Sequence, residues 1–179
     1  YFHVPAVSVS QMIYYSMSVA AAVFLIWRMK MAGVFIKSLA PIGASFTFLG
    51  LLSGAIWGQP TWGTWWVWDA RLTSVAILFI IYLIIIFMNL SFENRIVREK
   101  VVAIFILVGS INLPIVKFSV DWWNTLHQPA TISKLSKPSI DPSMMTPLII
   151  MTLAFIMIGV AIAILRIKTE IISRKSYLS

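Results

Sequence analysis

Five apolar runs, each close to the length that carries an α-helix across a bilayer, decide what this chain can fold into. A hydrocarbon core of roughly 30 Å is crossed by about 20 apolar residues in helical form. The runs lie near Ala6 to Trp27, Leu39 to Ile56, Leu72 to Leu90, Val101 to Val116 and Pro147 to Leu165. With 60% of 179 residues hydrophobic and 11% charged, a water-soluble domain would have to expose most of its apolar side chains. The expected fold is therefore all-α, a polytopic transmembrane helix bundle forming a single transmembrane domain over residues 1–179. The fourth run is short and holds Pro114 near its end, which predicts a span that tilts little or finishes early.

Charge sets the orientation. Arg28, Lys30, Lys37, Arg95, Arg98, Lys100, Arg166, Lys168, Arg174 and Lys175 fall on one side of the spans, and Arg71, Lys117, Lys134 and Lys137 on the other. Ten cations against four place the first set in the cytoplasm. Segments 57–71 and 117–146 then form outer loops, and Tyr1 also starts outside. An outer start without Met predicts one further span upstream, six in the intact protein. The net charge of +8 reads as cytoplasmic loops facing anionic lipid rather than a nucleic-acid surface.

Several chemistries are excluded. There is no cysteine, so disulfides, thiolate metal sites and covalent haem attachment through Cys-x-x-Cys are absent. None of the five spans holds Asp, Glu, Lys, Arg or His, which argues against a proton or ion pathway. No Gly-x-x-x-x-Gly-Lys-Ser/Thr nucleotide-binding loop occurs. The small residues of Gly50 to Gly54 read as a helix-packing motif.

The outer side collects what remains. Trp57, Trp62, Trp65, Trp66 and Trp68 fall within a dozen residues, followed by Asp69 and Arg71, and Trp122 and Trp123 join them. Seven of eight tryptophans on one face exceed an interfacial belt, which should serve both faces. A short Trp-rich interfacial helix over Trp62 to Ala70 would align Trp62, Trp65, Trp66 and Asp69 on one side. Both histidines, His3 and His127, are expected in outer loops, each two residues before a proline that biases the intervening residue towards extended backbone. Haem suits this set: a flat macrocycle for the indoles, iron for two imidazoles, and propionates for a cation such as Arg71, Lys134 or Lys137. Lys134 and Lys137 also read as a solvated loop face, and Asp69 as a helix cap or a partner of Arg71. Two other readings stay open: a membrane electron-transfer cytochrome subunit, and a subunit whose Trp loop docks a protein partner without haem.

The stretch WGTWWVWDARLT, Trp62 to Thr73, resembles the tryptophan-rich WD signature of the haem-handling protein family of cytochrome c maturation, most closely its CcmC branch. YFHVPA around His3 and VDWWNTLHQPATI around His127 resemble the family's two histidine loops, so the likeness extends over most of the chain. Related Trp-rich loops carry Asp-Pro after the last Trp, whereas Asp69 is followed by Ala70. The resemblance implies His3 and His127 as axial ligands of transiently bound haem b, and Trp62, Trp65, Trp66 and Trp68 as its platform, with Asp69 and Arg71 alongside. It implies a carrier, not an enzyme, that delivers haem to the chaperone CcmE in an ABC-type complex with CcmA, CcmB and CcmD. The expected location is the bacterial inner membrane or, alternatively, the mitochondrial inner membrane.

Overall fold

The computed structural model describes residues 1–122 and 141–176, and among them every regular element is an α-helix. In chain order these are α1 (His3–Trp27), α2 (Lys30–Trp62), α3 (Ala70–Ser91), α4 (Arg95–Gly109), α5 (Asn112–Trp122) and α6 (Pro142–Ser176). Five helical stretches are long and apolar enough to cross a membrane, with α4 and α5 together making one of them. The chain is thus a polytopic helical membrane protein. Several helices outrun the apolar runs that announce them. At 33 residues α2 is about 50 Å long, roughly 20 Å more than a 30 Å hydrocarbon core requires.

The connections show how the sequence closes each helix. Arg28 takes a left-handed conformation, φ 53°, and its amide donates to the Phe24 carbonyl at 2.8 Å, so α1 turns into α2 within two residues. Asn94 caps α4 by accepting from the amides of Ile96 and Val97. Asp141 accepts from the Ser143 amide and hydroxyl, which starts α6 and holds the Asp141 carboxyl below the usual carboxylate range.

Two local expectations are corrected. No short helix spans Trp62 to Ala70: Trp62 is the last residue of α2, and residues 63–69 are irregular. Gly63, φ 75°, ends α2 in the left-handed region, and its amide donates to the Gln59 carbonyl at 3.0 Å. The fourth span does not finish early at Pro114. It opens at residues 110–111 and resumes as α5 up to Trp122. Pro114 has no amide to give the Ser110 carbonyl, and it sits in the first turn of α5, where that absence costs little.

In the packed bundle, α1 contacts α2, α4 and α6, while α3 contacts α2, α4 and α5. Tyr14, Met17, Leu78, Tyr82, Ile85 and Ile106 are fully buried at the centre. Lipid tails are as apolar as these side chains, so close packing and interhelical hydrogen bonds must hold the helices together. The Tyr14 and Tyr82 rings meet edge-on at 5.3 Å. Tyr82 donates to the Ser10 carbonyl at 2.8 Å, Tyr14 to the Ile106 carbonyl at 3.1 Å, and the Ser10 and Thr47 hydroxyls bond each other. Gly43 and Gly109 make room for the two phenols, since a side chain at either would overlap Tyr82 or Tyr14.

Candidate functional site

The tryptophans gather where α2 ends and α3 begins, but not as one flat floor. Trp57 and Trp62, five residues apart near the end of α2, meet edge-on at 5.2 Å, with buried Gly58 leaving space for the Trp62 ring. Trp66 and Trp68 form a second edge-on pair at 5.6 Å. Exposure separates the members: Trp65 is 61% and Trp68 83% exposed, whereas Trp62 and Trp66 are half-buried. The Trp66 indole Nε1 is buried and has no hydrogen-bond acceptor among the described residues. A nearby rung is added by α5, where Phe118 and Trp122 stack at 5.5 Å and the Lys117 ammonium stands 5.5 Å from the Phe118 ring centre.

Asp69 and Arg71 anchor this end to the bundle. Asp69 is 8% exposed and accepts from the Leu72 amide at 2.7 Å, the N-cap of α3. Its carboxylate is thus turned to backbone, the capping role that its position suggests. The Arg71 guanidinium donates to the Lys117 carbonyl at 3.3 Å, tying the start of α3 to α5. A guanidinium has five donors, so this bond leaves Arg71 capable of further contacts.

His3 is not in a loop. It opens α1, and the backbone through Val4 and Pro5 is helical rather than extended. Pro5 lies in the first turn, where a helix requires no amide hydrogen, so the proline starts the helix instead of delaying it. The half-buried imidazole points at α2, with Nδ1 2.8 Å from the Gly50 carbonyl and 3.3 Å from Ser53 Oγ. Gly54, beside the ring, lies about 12 Å along the α2 axis from Trp62, so His3 and the Trp cluster share one end of the bundle. The sequence showed Gly50 to Gly54 as a packing motif; its contact with His3 was hidden because the two segments lie 47 and 50 residues apart at the bonded positions.

Trp123, His127, Lys134 and Lys137 lie outside the described residues. Among the described residues no three His, Asp or Glu side chains gather as a metal centre. The features present fit a flat, amphipathic iron macrocycle as cargo: exposed indole faces, an unpaired indole donor, and an imidazole that donates through one nitrogen to a carbonyl.

Fold and site together define a polytopic helical membrane protein with an aromatic, cation-bearing surface and an oriented imidazole at one end. A family model described as heme exporter protein C, CcmC, matches residues 1–178. The chain is 46% identical over 175 residues to the heme exporter protein C of Bradyrhizobium diazoefficiens, covering 98% of this chain and 66% of that protein. It is 45% identical over 172 residues to the Escherichia coli K12 heme exporter protein C, covering 96% and 69%. It is also 45% identical over 173 residues to a putative cytochrome c biosynthesis ccmC-like mitochondrial protein of Marchantia polymorpha, covering 97% and 73%. The chain belongs to the heme exporter protein C family. It spans about two thirds of the length of these relatives.

Proposed function

We propose that this chain binds haem at its Trp-bearing end and passes it on for cytochrome c maturation, as a carrier subunit and not an enzyme. That end faces the periplasm or intermembrane space, by the asymmetry of Lys and Arg between the spans. Names of the relatives support haem export, and they come from bacteria and from a mitochondrial protein. The observation that carries the reading is the His3 imidazole, hydrogen-bonded through Nδ1 as ligating histidines are, at the same end of the bundle as Trp65 and Trp68. Neutral imidazole binds iron well, and a second one from His127 would complete a bis-histidine haem b. Covering about 100 Å² of exposed indole would contribute on the order of 2.5 kcal/mol. Trp62 and Trp66 support that surface from below, and Arg71 offers a cation to a propionate. Residues 1–179 act as a single transmembrane domain, the recipient is the haem chaperone CcmE, and the companions are CcmA, CcmB and CcmD.

Absorption spectra of the purified full-length protein, oxidised and reduced, test this beside His3→Ala/His127→Ala. A low-spin bis-imidazole spectrum that disappears in the variant is expected. An unchanged spectrum overturns the ligand assignment, and folded protein that takes up no haem in either form overturns the carrier reading.

A further inference from the structure

The imidazole of His3 is held by a short stretch of a different helix, and each contact has a consequence for the ring. A carbonyl oxygen only accepts, so the 2.8 Å contact with Gly50 places the ring proton on Nδ1. Ser53 Oγ lies 2.6 Å from the Leu49 carbonyl and donates there, which leaves its lone pairs to face Nδ1 at 3.3 Å. Gly54 supplies space: a Cβ there would stand 2.8 Å from His3 Cε1 and 3.2 Å from Nδ1, closer than packed atoms allow. Two acceptors and one missing side chain thus set both the tautomer and the plane of the ring.

We propose that Gly50, Ser53 and Gly54 are positioning residues for the haem ligand, fixing the Nδ1–H tautomer of His3 so that Nε2 is the atom offered to iron. The proposal rests on the reading of His3 as an axial ligand. Outer partners of this kind raise the basicity of a ligating imidazole and remove its rotational freedom, and losing them typically costs about 10-fold to 100-fold in affinity.

The test titrates hemin into the full-length protein in lipid nanodiscs and records spectra of Gly54→Ala, Ser53→Ala, His3→Ala and, as a packing control, Gly43→Ala. Gly54→Ala is expected to lose about 10-fold in affinity and to move from low-spin towards high-spin haem, with added imidazole restoring the low-spin bands. Ser53→Ala should lose a few-fold, as for one of two acceptors. Gly43→Ala should unfold more readily yet keep the low-spin spectrum. If His3→Ala loses the spectrum while Gly54→Ala keeps wild-type affinity and spin state, the positioning role is overturned alone. A Gly54→Ala defect that imidazole does not rescue and Gly43→Ala shares also overturns it. A His3→Ala protein with the wild-type spectrum overturns the ligand reading, and the positioning role with it.

Discussion

Asp69 separates two readings that the sequence leaves together. Lying beside Arg71 and at the end of the Trp run, it is both a candidate site residue and a candidate cap. Its short bond to the Leu72 amide and its burial give the cap a physical basis. Asp69→Ala should therefore destabilise the protein by about 1 kcal/mol, read as a lower thermal unfolding midpoint in detergent, while Asp69→Asn should restore most of it because asparagine caps equally well. An Asp69→Asn protein as weak as Asp69→Ala would mean that the charge matters instead. The tryptophans make a similar point. Their identity and clustering are visible in the chain, but which rings face outward is not, because Gly63 breaks the helical register that would have aligned Trp62, Trp65 and Trp66.

At the scale of elements, α2 organises the molecule. It contacts α1, α3 and α6, and its glycines stand where neighbours approach: Gly33 against Glu99, Gly43 against Tyr82, Gly50 against Val7 and Gly54 against His3. Pro41 and Pro60 lie inside it. Near Pro41, which cannot donate to the Lys37 carbonyl, Arg166 of α6 donates to the Ser38 carbonyl at 3.1 Å and braces that turn. Gly43→Ala would gain about 1 kcal/mol of helix propensity but force the Tyr82 ring aside. Overpacking of that kind costs roughly 1–3 kcal/mol and should win, lowering the denaturant midpoint in mixed micelles. A Gly43→Ala protein more stable than wild type would mean that α2 and α3 do not meet closely there. The glycine pattern was readable as helix packing. Its partners were not, since a small residue advertises close approach without naming what approaches.

Across the whole molecule, the end opposite the tryptophans is closed by charge. Lys37 of α2 pairs with Glu170 of α6 at 2.7 Å, Glu170 with Arg174 at 2.7 Å, Arg174 with Glu99 of α4 at 2.9 Å, and Glu99 with Arg95 at 3.1 Å. Glu99 is 8% exposed, and its carboxylate lies against the α2 backbone, where a Cβ on Gly33 would stand 2.6 Å from it. In the sequence these cations serve to orient the chain; in the bundle they also join three helices. Glu99→Gln should cost about 2 kcal/mol, because it removes one of the two carboxylates paired with the largely buried Arg174 guanidinium, while Arg95, 38% exposed, stays hydrated. The same variant should bind haem with a wild-type spectrum, as the network and His3 occupy opposite ends. Unfolding midpoints and hemin titration check the two halves of that expectation, and a lost spectrum would mean that the ends are coupled.

Hydrophobic run length determined by itself that this is a helical membrane protein, and the Trp and His motifs pointed to its family. Those are local properties, since a helix in lipid satisfies its own backbone and needs no partner to be recognised. Only the tertiary structure decided that His3 begins a helix against Gly50, Ser53 and Gly54, that Trp68 stands out while Trp66 turns in, and that Glu99 joins α4 to α6. Nearly every residue in the spans is apolar, so hydropathy cannot choose among helix pairings. Shape at the glycines and a few buried hydrogen bonds make that choice.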